Sequence, residues 1–161
     1  MDPRAAQLIA DLELAPHPEG GYYRQVHRSA STVQPDDGRG ERAALTTIYF
    51  LLPAGEVSRW HVVTSDEVWH YYEGAPLELL TADGGFTRVA RHQLGPPADG
   101  QRPVHVVAAH DWQAARSTGA YTLVGCTVGP GFEFGDFTLL AERPADADRM
   151  GSDHPDVRAF I

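Results

Sequence analysis

The stretch from Gly55 to Gly74, GEVSRWHVVTSDEVWHYYEG, narrows the range of possible folds more than any other part of the chain. Val57 to Val62 is rich in β-branched and aromatic residues, and Glu67 to Tyr72 is again aromatic and extended. Between them Thr64, Ser65 and Asp66 supply turn chemistry, so the stretch predicts strand, turn, strand. Side chains two apart on a strand share a face, which aligns His61 with Val63. A hairpin at the turn would bring Glu67 back opposite them. A His and a Glu then converge on the concave side of a sheet, where a pocket can form.

Similar short strands recur along the chain. Tyr22 to Arg28, Ala44 to Leu52, Pro76 to Thr81, Phe86 to Gln93, Pro103 to Ala108, Ala120 to Val128 and Asp136 to Ala141 all read as extended. Turn signals separate them, among them Asp83-Gly84-Gly85, Gly95-Pro96-Pro97, Thr118-Gly119 and Gly129-Pro130-Gly131. Regular spacing of this kind predicts an all-β sandwich or barrel. Asp2 is placed to cap a short N-terminal helix with Pro3 at its first position and an apolar stripe of Leu8, Ile9 and Leu12. Residues 30–42 are polar and Gly/Pro-rich and read as an exposed loop. Residues 143–161 are polar, with Pro144 and Pro155, and read as a loosely packed tail.

At 161 residues the chain is one domain by length, with the barrel expected over about 20–142. Its 22 acidic residues against 13 basic ones give a formal net charge of −9, which argues against nucleic acid or an anionic membrane as partner. The single cysteine, Cys126, rules out an internal disulfide and fits a reducing compartment. The first residues carry no long apolar run, and no run approaches the ~20 apolar residues of a spanning helix. A cytoplasmic location is expected.

The spacing Gly55, His61, Val63, Glu67, Gly74 resembles the first motif of the cupins, with Val63 where that motif carries a second His. The words SRWHVVTSDEVWHYYEGAPLEL, HPEGGYYRQVHRS and YTLVGCTVGPGFEFGDF resemble a narrower group, the uncharacterised Cupin_5 or DUF985 family. The resemblance runs from about His17 to Leu140 and implies a double-stranded β-helix (jelly-roll) barrel. It also implies a homodimer, in which a strand such as Tyr22 to Val26 meets the partner. The second cupin motif aligns with Ala108, His110 and Gln113, so the four ligand positions hold His61, Val63, Glu67 and Gln113. Three of these, His61, Glu67 and Gln113, form a candidate set for a divalent ion such as Mn, Ni or Fe. They would make a poor tetrahedral zinc site, and no cofactor is required by the reading.

Without metal, a carboxylate beside an imidazole fixes its tautomer and suits it to general-base work near neutral pH. Metal-free cupin sugar epimerases use a barrel His in this way. By that resemblance His61 is the base, Glu67 orients it, and Tyr49 or Tyr71 returns a proton. In the plainer alternative His61 and Glu67 only satisfy each other in a polar interior. Trp69 shares the face of Glu67, and with Thr47, Gln113 and Phe134 it is a candidate pocket wall. Arg24 and Arg116 are candidates to hold an anionic substituent at the barrel mouth. Asp66 reads as closing a turn, Cys126 as an inert core thiol, and His17, His27, His92, His105, His110 and His154 as background. The expected function is binding of a small polar metabolite, a sugar among the candidates, with proton-transfer isomerisation or epimerisation if there is catalysis. A metal-dependent isomerase or dioxygenase and a non-catalytic binding module are the alternatives.

Overall fold

In the computed structural model, which describes residues 1–98 and 100–161, the expected strands fall into two antiparallel sheets packed face to face. In chain order they are β1 (Ala15–Pro16), β2 (Tyr22–Arg28), β3 (Thr32–Val33), β4 (Arg42–Ala43), β5 (Thr46–Pro53), β6 (Val57–Val63) and β7 (Asp66–Gly74). There follow β8 (Leu77–Ala82), β9 (Val89–Leu94), β10 (Val104–Val107), β11 (Trp112–Ser117), β12 (Tyr121–Gly129) and β13 (Phe137–Leu139). One sheet is ordered β1-β2-β5-β12-β7-β10 and the other β13-β6-β11-β8-β9, with β3 and β4 as a separate ribbon. The all-β jelly roll expected from the sequence is present as this sandwich.

Period-two alternation decides what each face does. Phe50, Leu52, Trp69, Leu77, Leu79 and Val124 point between the sheets and form the central core. Leu51 and Leu123 point outward and are covered by Ala5 and Leu8 of α1 (Pro3–Asp11). Asp2 caps that helix as expected, accepting from the backbone N–H groups of Arg4 and Ala5 at 2.9 and 3.2 Å. Pro3 takes the first turn, where no N–H is needed.

Three expectations need correction. The C-terminal residues do not form a loose tail. They form α2 (Pro144–Asp153) and a 3-10 segment (Pro155–Phe160), which lay Met150, Val157 and Phe160 over Trp60, Leu80 and Trp112 on the outer face of the second sheet. Three apolar residues in a polar stretch give little signal on their own. The clue lay elsewhere, in strands apolar on both faces that need a cover.

The stretch Gly55 to Gly74 is likewise not a hairpin. β6 pairs with β11 and β13, whereas β7 pairs with β12 and β10. Thr64 and Ser65 therefore carry the chain from one sheet to the other. Turn chemistry and alternation are the same for either connection, because neither specifies the hydrogen-bonding partner. Lastly, residues 30–42 are tied down in part. β3 pairs with β4, Arg42 makes a two-pronged contact to Asp136 at 2.7 and 2.8 Å, and Arg39 reaches Ser65 at 2.9 Å. β11, which carries Gln113, is a full strand between β6 and β8, although Gln-Ala-Ala-Arg has weak strand propensity. Among the described residues no helix is long and apolar enough to cross a membrane.

Candidate functional site

A cavity of about 240 Å³ lies between the sheets. His61 and Val63 of β6 form part of one wall, and Glu67 of β7 faces them from the other sheet. Ile48, Phe50 and Cys126 extend the wall beside Glu67, and Phe132, Phe134 and Phe137 stand around the cavity with Phe134 half exposed at the rim.

Two further residues, His17 and Glu19, complete the polar end. They sit on the turn His17-Pro18-Glu19-Gly20-Gly21 between β1 and β2. Gly20 has φ +110°, and a Cβ there would lie 2.1 Å from the carbonyl oxygen of Val57. Only glycine lets the turn press this close to β6. The Glu19 carbonyl accepts from Arg59 N–H at 2.8 Å, and its side chain enters the cavity. His17 had read as background and Glu19 had carried no role. The double glycine after Glu19 was the available signal.

The Glu19 carboxyl is the centre of this end. Its Oε1 accepts from Ser58 Oγ at 2.8 Å, and its Oε2 lies 3.4 Å from both His61 Nε2 and His17 Nδ1. Proximity alone would make these ion pairs. Burial argues otherwise, since desolvation penalises each charged form. It pushes Glu19 up to about 8 and His17 down to about 4, and it lowers His61 and raises Glu67 as well. Near neutral pH the contact is a carboxylic acid facing neutral imidazoles. The tautomer of His61 follows from its other nitrogen. Nδ1 lies 2.7 Å from the Arg59 carbonyl, which can only accept, so Nδ1 carries the hydrogen and Nε2 presents a lone pair. Arg59 thus orients His61, a role expected for Glu67.

Glu67 has a different partner. Gln113, opposite His61 on the neighbouring strand, crosses the sandwich and donates from Nε2 to Glu67 Oε2 at 2.5 Å. Its Oε1 accepts from Trp69 Nε1 at 2.9 Å. An indole can only donate, so the amide orientation is fixed by chemistry. The amide oxygen proposed as a metal ligand is therefore spent on Trp69, and Gln113 lies behind Glu67 rather than in the cavity wall. With Val63 apolar as well, the cupin ligand positions do not fit a metal centre. Among the described residues no group of three or more His, Cys, Asp or Glu side chains has an arrangement suited to an ion.

Of the other expected site residues, Phe134 is at the cavity and the rest are not. Tyr49 lies on the outer face, against Tyr72 and the cluster under α1. Tyr71 Oη donates to the Gly74 carbonyl at 2.6 Å, so neither tyrosine can return a proton in the cavity. Thr47 points outward and meets Thr127 at 3.0 Å. Trp69 is buried core that lies behind the wall, edge-on to Phe50 and hydrogen-bonded to Gln113. Arg24 pairs with Glu13 and Arg116 with Glu78, both at the surface. Alternation along β2 and β11 sends these two arginines away from the interior. Cys126 lines the cavity beside Glu67, and burial together with the neighbouring carboxyls pushes its thiol up.

Comparisons with known proteins bear on this geometry. A family model described as Cupin superfamily (DUF985) matches residues 6–140. A Shewanella oneidensis protein of known structure is 34% identical, with a TM-score of 0.86 over 98% of this chain and 96% of that one. A hypothetical protein from Leishmania major is 31% identical, with a TM-score of 0.84 over 98% and 96%. Bacillus subtilis oxalate decarboxylase shares the fold at 11% identity and a TM-score of 0.59, over 86% of this chain and 33% of that one. No curated protein matches the chain.

Proposed function

Because the chain belongs to the DUF985 family of the cupin superfamily, whose fold by itself prescribes no reaction, we propose that the cavity binds a small polar metabolite and moves a proton on it, as isomerases and epimerases do. The observation that carries this reading is the contact of His61 Nε2 with the Glu19 carboxyl at 3.4 Å, inside a buried cavity. A base with a free lone pair stands beside an acid that still holds its proton. His61 Nε2 takes a proton from a carbon next to a carbonyl while Glu19 gives one to the carbonyl oxygen, which yields the enol. When that carbon bears a hydroxyl the enol is an enediol, and His61 returns its proton to the former carbonyl carbon while the neighbouring hydroxyl gives its proton back to Glu19, which completes an isomerisation. An epimerisation keeps the carbonyl in place and takes its carbon proton from the opposite wall, where Glu67 stands. The chain contains no lysine, so the carbonyl is not held as a Schiff base.

The test is exchange of carbon-bound hydrogen for deuterium in heavy water, followed by NMR on a panel of aldoses and ketoses. Wild type is expected to exchange one position. His61→Ala and Glu19→Gln are each expected to slow exchange by about 10²–10⁴-fold, the range of a lost acid–base group. Binding without exchange would leave a binding module, and variants as fast as wild type would sink the assignment.

We propose a homodimer as well. β1 pairs only with Tyr22 and Tyr23, so among the described residues the outer edge of β2 from Arg24 onward has no strand beside it, and Val26 there is exposed. Bare edges of this kind invite pairing. Light scattering at micromolar concentration is expected to give twice the chain mass, and a monomer would remove the idea.

A further inference from the structure

We propose that the cavity selects uncharged polar ring compounds and rejects their phosphorylated or carboxylated counterparts. This rests on the cavity being the ligand site, though not on proton transfer within it.

The first support is what the walls lack. All 13 basic residues are arginine, and among the described residues none lines the cavity. The arginines close by are committed elsewhere. Arg28 pairs with Glu133 and Arg42 with Asp136, and Arg59, whose charge is felt at Glu19, stays outside the wall and donates to the Pro18 carbonyl. An anionic group pushed inward would meet Glu19 and Glu67, with no arginine in the wall among the described residues to pair with it. A buried charge without a partner is strongly disfavoured.

The second support is the match of what the walls do offer. One end presents a carboxylic acid, an imidazole lone pair and a second carboxyl, which donate to and accept from hydroxyl groups. Aromatic rings set at steep angles to one another adjoin these polar groups. Phe132 meets Phe134 edge to face at 5.1 Å, Phe134 stacks on His17 at 6.0 Å, and Tyr23 stands edge-on to His17 at 4.5 Å. A ring with a C–H face and a hydroxylated edge meets both the aromatic groups and the polar ones. At about 240 Å³ the space is below the ~300–1,000 Å³ of pockets that take drug-sized ligands, so it accommodates one ring rather than a nucleotide conjugate. Burial also leaves the polar end close to neutral at pH 7, with Glu19 held at about 8 and both imidazoles depressed, so a cation gains little there.

The experiment is binding of matched sugars to the full chain at pH 7, by calorimetry and by saturation-transfer NMR. The probes are D-glucose, D-mannose, D-galactose and D-fructose, their 6-phosphates, D-glucuronate and D-galacturonate, and D-glucosamine. At least one neutral sugar is expected to saturate the protein, with its charged counterparts weaker by about tenfold or more, the cost of roughly 1.4 kcal/mol of mismatch. Ile48→Arg, which sets a cation in the wall, is expected to reverse the order in favour of the anions. A phosphate, uronate or amino sugar that binds wild type as tightly as its neutral counterpart would overturn the proposal. So would the absence of binding by every neutral sugar at tens of millimolar. Neutral binding without deuterium exchange would leave this inference standing and defeat the proton-transfer reading. Exchange confined to an anionic sugar would do the reverse.

Discussion

Phe160→Ala is expected to cost about 3–5 kcal/mol of stability, the range for a large aromatic side chain removed from a packed core. Phe160 is 2% exposed and lies with Met150 and Val157 over the outer face of the second sheet. Trp60 joins the two layers by donating from Nε1 to the Val157 carbonyl at 3.4 Å. Deletion of residues 144–161 should go further. It would leave Trp60, Trp112, Leu80 and Leu140 bare on a surface shared by three strands, an apolar patch that a soluble chain rarely tolerates. The truncated protein is expected to aggregate or to lose its cooperative melt. A truncation melting within a few degrees of wild type would show that the second sheet does not depend on its cover.

Wild type is expected to lose stability as pH rises from 6.5 to 8, and Glu19→Gln is expected to lose much less. The carboxyl of Glu19 stands at about 8 in the fold against an ordinary 4.5. Between those values the folded chain holds a proton that the unfolded chain has released, so this contribution is complete below pH 4.5 and fades as pH climbs to 8. His17, lowered from 6.5 to about 4, acts with the opposite sign, and so does His61. Their effect is half spent at pH 6.5 and is over about one pH unit higher, as the unfolded imidazoles lose their remaining protons. Above that point the carboxyls act alone, with Glu67 adding to Glu19. At up to 1.4 kcal/mol per pH unit the net loss is of order 1–2 kcal/mol between pH 6.5 and 8, or roughly 2–8 °C of melting temperature. Glutamine keeps the acceptor for Ser58 and removes the titration. Parallel melting profiles for the two proteins over this range would sink the assignment of a buried protonated Glu19.

Much of the architecture was legible in the sequence because alternation is a local property. Asp2 and Pro3 start α1 as read, β2 has the predicted bounds, and β5 to β8 lie within a few residues of theirs. His61 and Glu67 were found because period-two spacing and the cupin motif both pointed to them. What stayed hidden depends on pairing across distance. Alternation says which face a side chain takes but not which sheet a strand joins, so the crossing at Thr64–Ser65 resembled a hairpin. Tyr49 and Thr47 were misplaced because β5 is apolar on both faces and nothing local says which one is the cavity. His17 and Glu19 reach the site only because the glycine turn docks on β6, a contact between segments about 40 residues apart.

The indole of Trp69 has a reach beyond its own contact. Since it can only give a hydrogen, it pins the amide of Gln113 in one sense, and the amide in turn fills Oε2 of Glu67 from behind. A hydrogen that arrives on Glu67 must then settle on the opposite oxygen, away from the clamp. The carboxyl is thereby given a front and a back, and its acid hydrogen can be exchanged only with whatever occupies the front. A residue that never touches the cavity thus decides the direction in which one of its walls can speak.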